Sequence, residues 1–478
     1  MKFKSKIPLS PSPENINNKF LKFIGINKAK RKKIKISPNC IPADGHDICN
    51  YVARYKIANF QIQAVMELDG RLDFDKLSRA VGLSFDVEPV FGSRFVKSTH
   101  PYWKRINAID CVEYCTFEET DNPDEAIQNF LDLPLDLDRG PMAKVRLIRS
   151  GSSETLCMKA SHVCCDAAGA KEYFLLLADI YSKIDKENSD YIPVQSIRNK
   201  NDQIRLFEAL DIDVSHANSS KSKMGLPLWN FPWRNNQIGT TRFVVCKLPN
   251  GQLDKMKSYS KARGATINDL ILTALYRAMF EISKPPYNIP MDIPITLDLR
   301  RYLPDQKTEA IRNFAGGYVT TIARKKHESF SETLSRVMST TKELKDGHPG
   351  IENAIWAERV ENMNFCQFIS YYKTSSQIVD MISYNPFYVT NKCGVVLANL
   401  GFVSKSPIKF GRHNVTDAYI IPPVVRAPGI LLVASTYNGI ITLSVGYYKP
   451  SVHRSVMEKL LGKIKDELIE GCKQPSEE

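Results

Sequence analysis

Apolar and polar positions along the chain alternate in short runs, then switch to a helical spacing, and the switch recurs. Residues 59–68 (NFQIQAVMEL) partly alternate and predict a strand. Leu72, Leu77, Ala80 and Val81 follow at helical spacing and predict a helix over residues 72–83. Alternation returns at residues 143–148, after the break at Gly140-Pro141, and residues 155–160 (TLCMKA) predict the next strand. That strand runs directly into SHVCCDAAG, Ser161 to Gly169. Beyond it Tyr173, Leu176, Leu177 and Ile180 share one face of a helix predicted over residues 170–184. His162 is therefore expected at a strand end and Asp166 near a helix start.

Residues 185–235 are polar, with a Ser-Ser-Lys-Ser-Lys run and the Trp- and Pro-rich LPLWNFPWR, and predict a linker or surface crossover. A second αβ body follows. Strands are expected at residues 242–248, 293–297, 395–400, 430–436 and 439–447, and helices at 253–261, 267–282 and 451–469. Thr266 is the expected cap of the helix beginning at Ile267. The pair Asn438-Gly439 signals a tight hairpin between the last two strands.

With 478 residues, 43% of them hydrophobic and 24% charged, the chain can bury a large core and is not expected to be disordered. It lacks 18 consecutive apolar residues, so no membrane-spanning helix is expected. The first 20 residues carry no apolar run behind their lysines and do not predict a secretory signal. The eleven cysteines include no C-x-x-C pair, and Cys111 and Cys115 have no matching second pair, so a reduced, cytoplasmic protein without a zinc site is expected. Of the net charge of +13, residues 1–36 supply +10, with eleven Lys/Arg against Glu14. This extension is read either as a solvated tail or as a contact for an anionic partner such as lipid, RNA or an acidic protein. The rest of the chain is nearly balanced.

Two His residues stand four positions before an Asp, His162/Asp166 and His413/Asp417, so the spacing alone decides nothing. Context separates them: His162 lies between an apolar strand and an amphipathic helix, with small residues 167–169 behind it. His413 sits in KFGRHNVTDAYIIPP and reads as a loop or strand-edge histidine. The chain holds no G-x-S-x-G, no phosphate loop and no G-x-G-x-x-G. Cys164 and Cys165 read as nucleophiles or, more simply, as small core residues. A histidine base without an enzyme nucleophile implies direct transfer, in which it deprotonates an acceptor that attacks an activated acyl group.

SHVCCDAAG resembles the H-x-x-x-D motif of the chloramphenicol acetyltransferase-like superfamily, which includes condensation domains, alcohol acetyltransferases and wax-ester synthases. In the same order, LDFDKLSRA (72–80), VEPVFGSRF (87–95) and LPLDLDRGPM (133–142) resemble family segments. GATINDLIL (264–272), PITLDLR (294–300), NFAGG (313–317) and ANLG (398–401) continue the series in the second half. Ser161 replaces the first His that many relatives carry, and Ala167 their Gly, with a glycine displaced to Gly169.

The resemblance implies an α/β fold of two similar sandwich subdomains, residues 40–190 and 235–478, joined by 191–234, with an interdomain tunnel. It implies an acyltransferase with His162 as general base and Asp166 paired to Arg300 in support of the site, unless Arg300 and Arg301 are surface residues. Gly169 lets the motif turn pass close to the other half. Asn399 either contacts the transition state or caps a strand, and Ser435 or Thr436 is a possible oxyanion donor. The implied co-substrate is a phosphopantetheine thioester, coenzyme A or an acyl-carrier protein, and the acceptor an alcohol or amine. No metal and no permanently bound cofactor are implied. The alternatives are a stand-alone condensation-type enzyme and a catalytically silent member that binds an acyl or pantetheine ligand.

Overall fold

The structure, a computed structural model, describes residues 39–55, 57–107, 113–184, 191–214, 229–345, 347–370, 372–373 and 392–473. The basic extension, the Ser-Lys run and Cys111 lie outside the described residues. In chain order the elements begin with β1 (Cys40–Pro42), α1 (Gly45–Ala53), β2 (Gln61–Leu68), α2 (Phe74–Val87), β3 (Ser93–Val96) and β4 (Tyr102–Arg105). They continue with β5 (Cys115–Glu119), α3 (Pro123–Asp132), β6 (Ala143–Ser150), β7 (Ser153–Ser161), α4 (Ala167–Lys183) and α5 (Asn201–Ala209). The second half holds β8 (Trp229–Asn230), β9 (Thr241–Lys247), α6 (Gln252–Arg263), α7 (Ile267–Ser283) and β10 (Pro290–Asp298). A 3-10 turn (Leu299–Tyr302), β11 (Ala315–Ala323), α8 (Phe330–Lys345), α9 (Ile351–Glu361) and β12 (Lys392–Phe402) come next. The chain closes with β13 (Lys409–Phe410), β14 (His413–Ile421), β15 (Gly429–Tyr437), β16 (Ile440–Tyr448) and α10 (Arg454–Gly471).

Strands β13-β14-β2-β7-β6-β5 form a six-stranded sheet. Strands β11-β10-β12-β15-β16-β9, with β8 added beside β12, form a seven-stranded one. Each packs helices against its apolar face. On the first, Leu77, Val81 and Phe85 of α2 and Phe174, Leu177 and Ile180 of α4 close over Met66, Leu156 and Met158. On the second, Leu270 to Met279 of α7 and Leu460, Leu461 and Ile464 of α10 cover Val395, Leu432 and Leu443.

Local signals act as expected. Thr266 caps α7 through a reciprocal capping box with Asp269. Asn438 and Gly439 both take positive φ, 45° and 77°, which matches the twist of the β15–β16 hairpin.

Two features depart from the expected split at residue 235. Strand β14 belongs by sequence to the second half, yet it pairs antiparallel with β2 of the first sheet, Tyr419 opposite Val65. The stretch expected as a linker holds α5, where Asp202 is fully buried and receives Arg312 Nη1 at 2.8 Å. Upstream of it, Arg198 reaches Asp47 at 2.5 Å, with both side chains buried. Segment 191–214 is thus anchored by desolvated ion pairs together with Leu206, Phe207 and Leu210, which pack against Leu299, Leu303 and Phe314. Among the described residues, no helix is long and apolar enough to cross a membrane.

Candidate active site

Strand β7 ends at Ser161, and the chain leaves it through a turn that the motif residues build themselves. Ser161 Oγ accepts the Val163 N–H at 3.2 Å, and its carbonyl accepts the Cys164 N–H at 3.1 Å. Cys164 and Cys165 are buried to within 1% of complete, and burial pushes the Cys165 thiol up, so they fill the core. The His162 N–H donates to the carbonyl of Phe60 at 2.8 Å. Phe60 stands at φ +46°, a conformation non-glycine residues adopt at a cost, and its ring lies 5.5 Å from the imidazole.

The imidazole is held from the other half of the chain. Nδ1 lies 3.2 Å from Asn313 Oδ1. Asn313 is fully buried, and its Nδ2 donates to the Val163 carbonyl at 2.8 Å. A carbonyl can only accept, so the amide NH2 must face Val163 and its oxygen must face His162. That fixes the tautomer: Nδ1 carries the proton and donates, and Nε2 keeps its lone pair. Burial pulls the His162 pKa below its ordinary 6.5, against the opposing pull of Asp166, so the neutral ring prevails at neutral pH.

Asp166 has a different task. It is the N-cap of α4, its Oδ1 accepting the Gly169 N–H at 2.7 Å. Its Oδ2 accepts from Arg300 Nη1 at 2.9 Å and from the Phe314 N–H at 2.6 Å. Burial raises this carboxyl, and the Arg300 guanidinium and the two amides outweigh it, so it sits below the usual carboxylate range. Arg300 is 2% exposed and also donates to the Arg312 carbonyl at 2.9 Å, whereas Arg301 is exposed. Both carboxylate oxygens are occupied by protein, so Asp166 has no face left for a substrate. Gly169 lies against the same strand entry: a Cβ there would stand 3.1 Å from the Arg312 carbonyl oxygen and 3.1 Å from Ile311 Cγ2.

The structure thus brings His162, Asp166, Gly169 and Arg300 together. Asn399 makes no side-chain contact with them; its Oδ1 accepts the Gly401 N–H at 3.2 Å, at an irregularity in the β12–β15 pairing. Ser435 Oγ is taken by the Ile420 N–H at 3.3 Å. His413 opens β14, opposite Phe410 and 3.7 Å from Asp69, while Asp417 pairs with Lys247 at 2.5 Å. The second His/Asp spacing therefore builds no shared site. Sequence reading missed Asn313 as the partner of His162; its only signal was its place in NFAGG.

A cavity of about 490 Å³ adjoins this turn, with Phe60, Gln61 and Ser161 in its wall. Its far side carries Leu133 to Leu135, Thr240, Thr241, Arg426 and Tyr448. Two side chains pin the Leu133 loop: Gln61 Nε2 donates to the Leu131 carbonyl at 2.9 Å, and Lys159 Nζ to the Phe130 and Leu133 carbonyls at 2.7 and 2.6 Å.

No protein-family model matches the chain, and no curated protein matches its sequence. Solved structures do match its shape. The trichothecene 15-O-acetyltransferase of Fusarium sporotrichioides superposes with a TM-score of 0.65 at 13% identity, covering 91% of this chain and 95% of that one. The first condensation domain of the calcium-dependent antibiotic synthetase gives 0.65 at 14%, covering 91% and 96%. Polyketide synthase associated protein 5 of Mycobacterium tuberculosis gives 0.61 at 13%, covering 92% and 100%. The chain thus has the mixed α/β fold of these structures, which include an acetyltransferase and a condensation domain.

Proposed function

We propose that this protein transfers an acyl group from a phosphopantetheine thioester, coenzyme A or an acyl-carrier protein, directly to an alcohol or amine, with His162 as general base. The observation that carries this reading is the tautomer imposed by Asn313, which leaves Nε2 its lone pair on a turn whose neighbours Ser161 and Phe60 line a cavity of about 490 Å³. Nε2 removes the proton from the acceptor hydroxyl or amine as its oxygen or nitrogen attacks the thioester carbonyl. The tetrahedral adduct then collapses, the C–S bond breaks, and the proton on Nε2 passes to the departing sulfur. Asp166 and Arg300 act through the scaffold: they tie α4 to the Phe314 amide next to Asn313, and so hold the imidazole and its partner in register.

The likeness to a condensation domain favours a second reading, in which the donor is bound to a carrier protein and the acceptor is also carrier-borne. Free-thiol release from coenzyme A thioesters of several chain lengths, with pooled alcohols and amines, separates the two from a silent binder. His162→Ala should lower turnover about a hundredfold to ten-thousandfold without unfolding the protein. His413→Ala should leave it within about twofold, since that ring touches only Asp69 and its neighbours. Equal losses from both substitutions, or none from His162→Ala, overturn the assignment.

A further inference from the structure

The cavity beside His162 is chemically lopsided. Part of its wall is apolar: Phe60, whose ring lies 5.5 Å from the imidazole, and Leu133 and Ile238, which are 58% and 55% exposed. Elsewhere its lining includes Arg54 and Arg426. Arg54 Nη2 donates to the hydroxyls of Tyr51 and Tyr55 at 2.6 and 3.3 Å, with its guanidinium carbon 4.2 Å above the Tyr51 ring. Arg426 Nη2 donates to the Arg54 carbonyl at 3.1 Å. Among the described residues neither has a carboxylate partner, and the Nε of each is buried without an acceptor. The one acid in the wall, Asp132, is held by Thr241 of the same wall, its Oδ1 accepting the Thr241 N–H and hydroxyl, each at 2.6 Å.

Two partly desolvated cations without a counter-charge are costly to hold, and in this chain the buried arginines 198, 300 and 312 all have carboxylates. Arg54 and Arg426 are half-buried and have no carboxylate among the described residues, and both line a cavity. Planar guanidinium groups bind carboxylates and phosphates through paired N–H donors. The second guanidinium fixes the first, because the Arg426 side chain holds the Arg54 backbone. A volume of about 490 Å³ falls within the range of sites that enclose a small molecule.

We infer that this cavity binds a substrate whose non-reacting end is an anion, a carboxylate or a phosphate, held by Arg54 and Arg426 while its apolar stem carries the reacting end past Phe60 to His162. The inference rests on the reading of His162 as the transfer base. The anion has two possible sources: a charged group on the acceptor, or the phosphate of the phosphopantetheine donor.

The test uses the full chain and two matched pairs of probes. On the acceptor side, 4-(hydroxymethyl)benzoate is compared with 4-methylbenzyl alcohol; on the donor side, acetyl-coenzyme A is compared with S-acetylpantetheine, which has no phosphate. Thiol release gives kcat/KM for each, and the shift in melting temperature with 4-(hydroxymethyl)benzoate or coenzyme A alone reads binding without transfer. The wild type should prefer the anionic member of one pair by tenfold or more, and the pair that shows it identifies the source. Arg54→Gln and Arg426→Gln should each lower that ratio at least fivefold and remove the thermal shift. Arg426→Lys, which keeps the charge and loses the fork, should retain part of both. If transfer proceeds with the same ratios in wild type and variants, the anion site is wrong and the acyltransferase reading stands. If the thermal shift is present and lost in the variants while no pair supports transfer, the anion site stands and the acyltransferase reading falls. Absence of any shift in the wild type overturns the anion site.

Discussion

Replacing Asp166 by Ala removes three acceptor contacts at once, those to the Gly169 N–H, the Phe314 N–H and Arg300 Nη1. Loss of the helix cap costs about 1 kcal/mol. Stranding a buried guanidinium costs about 3–5 kcal/mol, since its charge is left without its partner in a dry site. Asp298 at 3.1 Å and Glu172 at 3.7 Å stay beside Arg300 and share part of that charge. The net loss should therefore fall near 4 kcal/mol, at about the middle of those figures. Arg300→Ala leaves Asp166 with two backbone donors and the Arg312 carbonyl with only the Asp166 N–H at 3.4 Å, and should cost about 3 kcal/mol. The double substitution strands no charge, so it should cost about 2 kcal/mol less than the sum. Urea unfolding of the four proteins, with thiol release read in parallel, gives the cycle. The pH dependence adds a sign. Because the folded pKa of Asp166 lies below the unfolded value, its contribution is in place above about pH 4 and fades as pH falls through the folded value. The stability gap between wild type and Asp166→Ala should narrow on that side. Additivity within about 0.5 kcal/mol would mean that the two residues do not interact, and the tie between the motif turn and the 3-10 turn would be refuted.

Gly169→Ala should be destabilising by about 1–3 kcal/mol and should reduce turnover more than stability suggests, because the new methyl presses on Arg312 and Ile311 beside Asn313. An unchanged kcat would disprove that coupling. Burial lowers the pKa of His162 below its ordinary 6.5, so the acid limb of kcat/KM should have its midpoint below that value. A midpoint above 6.5 contradicts the assignment. Burial brings Lys159 down to about 7 from its ordinary 10.5, so unfolding takes up a proton between those values and this residue's contribution grows as pH rises. Lys159→Met should flatten the rise in urea stability between about pH 7 and 10. Thr266→Ala should cost about 1 kcal/mol by thermal unfolding and leave transfer intact, since the box it closes lies on α7.

Most of what local chemistry governs was legible in the sequence. Apolar periodicity located β2, β7, α4 and α7 to within a few residues, and the caps and hairpin signal acted where they stand. Each of these depends on neighbours a few positions apart, and a linear chain displays such spacing directly. The motif turn was legible for the same reason: a strand end, small residues and an Asp at a helix start are adjacent in the chain. Strand β11 was not among the expected strands; its start was visible only as the segment NFAGG. In the fold its paired glycines admit Gly350, whose carbonyl oxygen would stand 2.5 Å from a Cβ at Gly316. The 191–214 segment was misread because Arg198 and Asp202 are buried in ion pairs beside its apolar residues, and charge suggests solvent until a partner is known. Sequence context already favoured His162/Asp166 over His413/Asp417, but only the tertiary structure supplied the partners. It joined His162 to Asn313 across 151 residues and Asp166 to Arg300 across 134, and it left Arg54 and Arg426 without a carboxylate beside a cavity. Hydrogen-bond geometry between distant segments has no periodicity to read, because it is set by how the two sheets pack and by which polar groups that packing leaves together.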